Sequence, residues 1–415
     1  MNDAIAVVLG MGPTALSLVR SLGRRGVKVY GIGLSRWEVA LRSRYCTPLG
    51  AIDPRQEPER LLECLLQFAR NQSSRRRLLL YPTGDECVVF VGEHHAELAS
   101  SYSFSRLDPE TIELFLNKER FHRACREHGM PTPLTLAPTS LDELRDWVAK
   151  GPFPCILKPK YYHRWAVQHG LAKVIYCQSA GELLGHAHLL GPRITDFIVQ
   201  EVVTGPEENI YVFAAYFDQG SQPHGVFVGQ KVRQYPVGFG TTTMMRTAKA
   251  PDIERRSVSF LKGLGYQGLC DVEYKYDSSM RIFKIIEINP RIGRWYGLVE
   301  AAGCETVYYS YLDLAGSPIP NTSGGRARSV TWAFVPRDVL AVLTDKRGSC
   351  LRAIESYRRP MTWCIWSRDD PKPFFAYFAE MASKGWRALV ARKRRRSAVA
   401  TRTSPEPVAE RGTTP

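Results

Sequence analysis

Two acidic segments, Asp271-Val272-Glu273 and Glu287-Ile288-Asn289-Pro290-Arg291, carry the side chains best suited to chemistry. The residues around them predict strands over 269–276 and 282–289, joined by a polar turn at Asp277-Ser278-Ser279. Opposed residues of a hairpin keep a constant index sum, and residues i and i+2 share a face. With the turn centred near Met280, Glu273 opposes Glu287, and Asp271 lies beside Asn289. Carboxylates this close repel one another unless a cation sits between them. Hard oxygen donors in this number suit Mg²⁺, which keeps several waters and takes further ligands from nucleotide phosphates. Arg291 and Arg294 stand at the edge, where cations stabilise a transferring phosphoryl group. The patch is a candidate half of a Mg-ATP site. The competing reading is a solvated acidic face on an ordinary hairpin.

Such a patch needs a scaffold, and 415 residues with 44% hydrophobic side chains can build two or three domains. No run of 18 apolar residues predicts a membrane span, and the N-terminal apolar run leads into glycines rather than a cleavage site. Ten cysteines without a CxxC pair suit a reducing cytoplasm and argue against zinc or a disulfide frame. The net charge is +15, and nine basic residues against Glu406 and Glu410 lie from Lys384 onward. The rest of the excess suits anionic ligands.

Residues 4–9 form a buried-strand run, followed by Gly10-Met11-Gly12-Pro13-Thr14-Ala15, a helical pattern and a second strand at 27–32. This is a Rossmann-like opening that could place a pyrophosphate on a helix N-terminus. No acidic ribose partner ends the second strand; Arg36 lies there, which leaves an NADP reading open. Strand 77–81 ends in Pro82-Thr83-Gly84-Asp85-Glu86, which either borders a ligand crevice or caps a helix. A helix opens at Asn117-Lys118, and strands follow at 153–159, 172–177, 197–203, 209–217 and 225–232. Lys158 ends the first of these, with Lys160 beyond it. A glycine- and threonine-rich loop at 238–243 and a helix at 251–264 precede the hairpin. Past Gly316, strands at 329–334 and 361–366 alternate with helices at 337–344 and 373–381. From Arg392 the chain is basic, then rich in Ser, Thr and Pro, which predicts disorder.

Taken in order, Lys118, Lys158, Gln200-Glu201-Val202-Val203, Lys231/Arg233, Asp271-Val272-Glu273 and Glu287-Ile288-Asn289-Pro290-Arg291 resemble the ATP-grasp superfamily over residues 1–315. The Asn117-Lys118 opening and Gln230–Pro236 look most like predicted carboxylate–amine ligases related to D-aspartate ligase. The resemblance implies an α/β protein, α+β in part. A Rossmann-like pre-ATP-grasp domain would span 1–115, and a two-lobed ATP-grasp domain 116–315 with its lobe boundary near 200. A small α/β extension would cover 316–385, and a basic, disordered tail 386–415.

It further implies that Lys118, Lys158 and Lys160 contact ATP phosphates, and that Gln200, Glu201, Val202 and Val203 line the adenine. Glu208, seven positions beyond Glu201, would take the ribose. Glu273, Glu287 and Asn289 would ligate Mg²⁺ or Mn²⁺. Arg291 would stabilise the acyl phosphate, with Lys231, Arg233 and Arg294 as phosphate or substrate contacts. The lid at 160–173 departs from the family in offering only Gly170 among Tyr161, Tyr162, His163, Arg164 and Trp165.

The implied reaction joins a small carboxylate to an amine at the expense of ATP, in the cytoplasm. No nucleic acid is expected as partner. Weak contact of the tail with an anionic membrane, and a homo-oligomer, stay open. The alternatives are an NADP-dependent oxidoreductase using Gly10–Ala15, or a non-catalytic, membrane-associated ATP-binding module.

Overall fold

The computed structural model describes residues 3–72, 76–161, 174–320, 328–345 and 350–383. The sequence expectations for Tyr162, His163, Arg164, Trp165 and Gly170, and for the tail 386–415, fall outside those residues.

Apolar runs fix the first layer. Strands β1 (Ile5–Leu9), β2 (Lys28–Gly33), β3 (Cys46–Ala51) and β4 (Leu78–Pro82) form a parallel sheet in the order β3-β2-β1-β4. β1 is buried along its whole length, as a strand covered on both faces must be. Gly10 turns the chain out of β1 at φ +79°, a conformation that favours glycine.

The second sheet is antiparallel: β5 (Thr135–Leu136), β8 (Phe197–Glu201), β6 (Cys155–Pro159) and β7 (Ile175–Cys177), in that order. The third runs β13-β12-β9-β10-β11-β14-β15. It is built from β9 (Ile210–Phe217), β10 (Pro223–Tyr235), β11 (Thr241–Thr247), β12 (Gly268–Asp277), β13 (Ile282–Asn289), β14 (Thr331–Ala333) and β15 (Met361–Trp363). The glycine- and threonine-rich stretch expected as a loop becomes β11 from Thr241 onward. Its β-branched threonines, Met244 and Met245 pair with β10 on one side and β14 on the other.

The C-terminal segment therefore extends the third sheet. It is also pinned to the first layer. Arg20 of the helix Ala15–Arg24 donates from Nε to Asp370 at 2.9 Å, both side chains being buried, and Asp370 also accepts from Ser43 and the Arg44 amide. One continuous core joins that helix to the helices Tyr296–Ala301 and Thr306–Leu314.

The helix Val335–Thr344 is held by Asp338, which is fully buried. It accepts from Arg233, from Thr243 Oγ1 at 2.7 Å and from Tyr357 at 2.6 Å. Removing one partner of a buried pair strands the other charge. Asp338→Ala is expected to lower unfolding free energy by about 3–5 kcal/mol. Nucleotide affinity of the folded fraction should be unchanged, read by denaturant melts beside ATP titration.

Candidate active site

The hairpin places Glu273 opposite Glu287 and Asp271 opposite Asn289, the register expected from the index sum. Its turn is drawn tight by Asp277, whose Oδ1 accepts from the Ser279 amide at 3.0 Å and the Met280 amide at 3.1 Å. A cavity of about 430 Å³ opens over this face. Glu273, Glu287, Asn289, Asp271, Arg291 and Arg294 line its floor. β6 and β8 supply Lys158, Gln200 and Glu201 on the facing side, with Val202 and Val203 just past β8.

Among the described residues, no three acidic, histidine or cysteine side chains close on one point. The patch offers two opposed carboxylates and an amide oxygen, a donor set that fits Mg²⁺ completed by phosphate and water. Asp271 behaves differently. Burial pushes its carboxyl up to about 7, helped by Glu273 and Glu287 and opposed by Arg291. Its neighbour Gly293 has no room for a side chain: a Cβ there would lie 2.7 Å from Asp271 Oδ2.

Lys231 and Arg233 part company. Residues i and i+2 of a regular strand share a face, but β10 carries register shifts on both sides of Arg233. Lys231, 2% exposed, points to the cavity and donates to Glu273 at 3.3 Å and Gln234 at 3.1 Å. Arg233 does not line the cavity; it forms the pair with Asp338, Nη2 to Oδ2 at 2.7 Å. A sequence cannot show a bulge that swaps faces.

Three other residues sit elsewhere than expected. Lys160 pairs with Glu119 at 2.7 Å, outside the cavity lining. Glu208 is exposed and does not line the cavity. The adjacent Glu207 instead accepts from the Gln234 and Gly238 amides, bracing the loop after β10. Lys118 begins the helix Lys118–Glu127, capped by Asn117, and its amide donates to Lys160 O at 3.1 Å; it too is absent from the lining.

Lys158 donates to Gln200 Oε1 at 3.0 Å. Gln200 Nε2 in turn donates to His122 Nε2 at 2.8 Å, so that nitrogen accepts and the ring proton lies on Nδ1, toward Thr132. Burial, then Lys158 and Lys118, holds His122 down at about 3. His122 is a positioning residue that sequence reasoning passed over, since a lone histidine inside a helix carries no spacing signal.

A buried neutral His binds fewer protons than its unfolded form, so its contribution to stability falls as pH drops from about 6.5 toward 3. Asp271 has the opposite sign. It keeps a proton when folded, and its contribution falls as pH rises from about 4 to 7. The metal-free protein should therefore show a flattened pH–stability profile between about 4 and 6.5. His122→Gln should leave a profile in which stability decreases with rising pH, measurable by denaturant midpoints.

The parallel sheet also reaches the cavity, through Thr14, Thr83, Gly84, Asp85 and Glu86. Arg291 Nε donates to Asp85 at 2.7 Å, and its Nη2 to Asn289 Oδ1 at 3.3 Å. Burial works against the Arg291 charge, but Asp85 and Asp271 outweigh it and raise its pKa. Asp85 was visible in the sequence only as a polar residue after a strand's carboxyl end. Arg294 is in the opposite condition: its Nε and Nη1 are buried with no hydrogen-bond partner among the described residues, and its guanidinium lies 5.4 Å from the Phe334 ring centroid. Burial, with Arg337 nearby, lowers its pKa.

The glycine turn after β1 is occupied from within. Glu38 Oε2 accepts from the Met11 amide at 2.6 Å and the Leu34 amide at 2.8 Å. An internal carboxylate thus takes an amide that a dinucleotide phosphate would need.

The family described as carbamoyl-phosphate synthase L chain, ATP binding domain, matches residues 236–315. D-aspartate ligase of Enterococcus faecium (strain Aus0004) is 25% identical over 294 residues, covering 67% of this chain and 70% of that protein. N5-carboxyaminoimidazole ribonucleotide synthetase from Thermus thermophilus superposes with a TM-score of 0.59 at 13% identity, covering 78% of this chain and 81% of that one. L-amino acid ligase from Bacillus licheniformis gives 0.57 at 15% identity, covering 76% and 75%. The fold is that of the ATP-grasp structures, and in sequence the chain is similar to D-aspartate ligase and, over residues 236–315, to the carbamoyl-phosphate synthase ATP-binding domain.

Proposed function

We propose that the protein activates a small carboxylate with ATP and transfers the acyl group to an amine, releasing ADP and phosphate. The observation that carries this reading is the opposed Glu273/Glu287 pair with Asn289, in one cavity with Lys158 and the end of β8. The similarity to D-aspartate ligase supports the amide-forming assignment.

Ile156, Val174, Val202, Ile210 and Ile286 give the cavity an apolar slot suited to a purine ring. Lys158, held by Gln200, is a mobile point charge for phosphate oxygens. Glu273, Glu287 and Asn289 would hold Mg²⁺, which when bound neutralises phosphate charge. Arg291, fixed by Asp85, faces the oxygens of the transferred group, and Arg294 supplies the buried cation for an anionic substrate group. No side chain forms a covalent intermediate. The chain contributes positioning and electrostatic stabilisation.

The test is phosphate release from Mg-ATP across amino acids and small carboxylates paired with amines, with mass spectrometry of products. One acid–amine pair should raise release well above ATP alone and yield an amide. Release indifferent to every amine would refute the joining step.

A further inference from the structure

A second cavity, of about 370 Å³, shares no lining residue with the first. That volume suits a small molecule. Its walls come from two layers. Arg77, His95, Phe104 and Arg106 belong to the first, where Ser103 lies alongside β4 in a parallel bridge to Leu79. Tyr216 of β9 and Gln267, just before β12, belong to the third sheet. The layers approach closely here: a Cβ on Gly268, at φ +121°, would lie 2.7 Å from Ser105 Oγ.

None of the residues lining this cavity is acidic, and three are basic. Arg106 gives its Nε to Asp108 at 2.7 Å. The Arg77 guanidinium rests on Gly316, where a Cβ would lie 2.6 Å from Nη1. It has no hydrogen bond or ion pair among the described residues, which leaves its planar fork for a carboxylate or phosphate. Tyr216 donates its hydroxyl to Asp313 at 2.5 Å, so that carboxylate is already engaged. His95 and Phe104 meet edge to face at 5.2 Å and form an aromatic wall beside the cations. Charge and wall together suit an anionic group carried on a ring.

We propose that this second cavity is an effector site for a small aromatic anion, a carboxylate or phosphate on a single ring, held by Arg77 against His95 and Phe104. Such a ligand bridges the two layers whose junction also forms the first cavity. β4 leads from Arg77 toward Asp85, which holds Arg291, and β12 leads from Gly268 to Asp271 and Glu273. A ligand in either cavity favours the same joined arrangement, and each therefore tightens binding of the other. The coupling rests on nucleotide binding in the first cavity; occupancy of the second does not.

The test is calorimetric titration of the full chain with benzoate, phenyl phosphate, inorganic phosphate and neutral benzamide, with and without Mg-ADP. Benzoate or phenyl phosphate is expected to bind, with benzamide and inorganic phosphate at least tenfold weaker. Arg77→Gln, a change at an exposed residue, should weaken the aromatic anion at least tenfold and leave Mg-ATP affinity unaltered. In the parent, the anion should slow amide exchange over residues 103–106 and lower the Mg-ATP Kd about fivefold. Failure of Mg-ATP to bind would sink the nucleotide reading and the effector role with it, while the probe titrations still decide the site. Absence of binding by both aromatic anions overturns the proposal, as does binding that benzamide matches or that Arg77→Gln leaves intact. Inorganic phosphate binding as tightly as phenyl phosphate would mean a bare ion site, and also overturns it. Binding that leaves Mg-ATP affinity unchanged overturns the effector role.

Discussion

Glu287→Gln is expected to lower Mg-ATP turnover by more than about a hundredfold while the protein remains folded. The change keeps the side chain's shape and removes one of two carboxylates opposed across the hairpin. Without metal, the variant loses a like-charge contact, so its unliganded stability should equal the parent's or exceed it by a few tenths of a kcal/mol. With Mg-ATP the order reverses. Ligand binding stabilises by RT ln(1 + [L]/Kd), and that increment should vanish in the variant. Thermal melts with and without Mg-ATP, beside phosphate release, read both effects. A variant that still turned over and still gained stability from Mg-ATP would remove Glu287 from the metal site.

Arg294→Leu should move stability and activity in opposite directions. Two guanidinium nitrogens are buried with no hydrogen-bond partner among the described residues, and such groups cost their full desolvation. Leucine removes that cost and the attraction to Phe334, which is the smaller loss. A net gain of about 1–2 kcal/mol in the unliganded protein follows. The acid substrate then loses a charged partner in a desolvated site, and its KM should rise by about a hundredfold or more. Denaturant midpoints and KM for the acid found in the panel check the pair. A destabilised variant with an unchanged KM would make Arg294 a structural residue.

Much of this site was legible in the chain. The pairing of Glu273 with Glu287 and of Asp271 with Asn289 was expected from an index sum, and it holds through a register shift between Glu273 and Tyr274 that the sequence does not announce. The strand carrying Lys158 was marked by its apolar run, and the order of segments pointed to the fold. What failed to show has local causes. Arg233 was lost to a bulge, and a bulge has no composition of its own. Lys160 and Glu208 have the right spacing, but Glu119 draws one away and the other faces solvent. His122 and Asp85 contribute through partners 78 and 206 residues distant, separations across which no sequence period runs. The two C-terminal strands were expected at 329–334 and 361–366, but their sequence did not show that they would pair onto the edge of the largest sheet.

The Asp85–Arg291 pair has a consequence for how the molecule comes apart. Arg291 is largely covered, with 17% of its side chain exposed, and opening the first sheet alone would take Asp85 from its guanidinium. The two layers are therefore expected to unfold together, although 206 residues separate the two partners along the chain. A ligand gripped by the hairpin then slows amide exchange in β4, whose end carries Asp85, without touching that strand. Occupancy of the nucleotide cavity would thus be written into the exchange rates of the chain's opening domain.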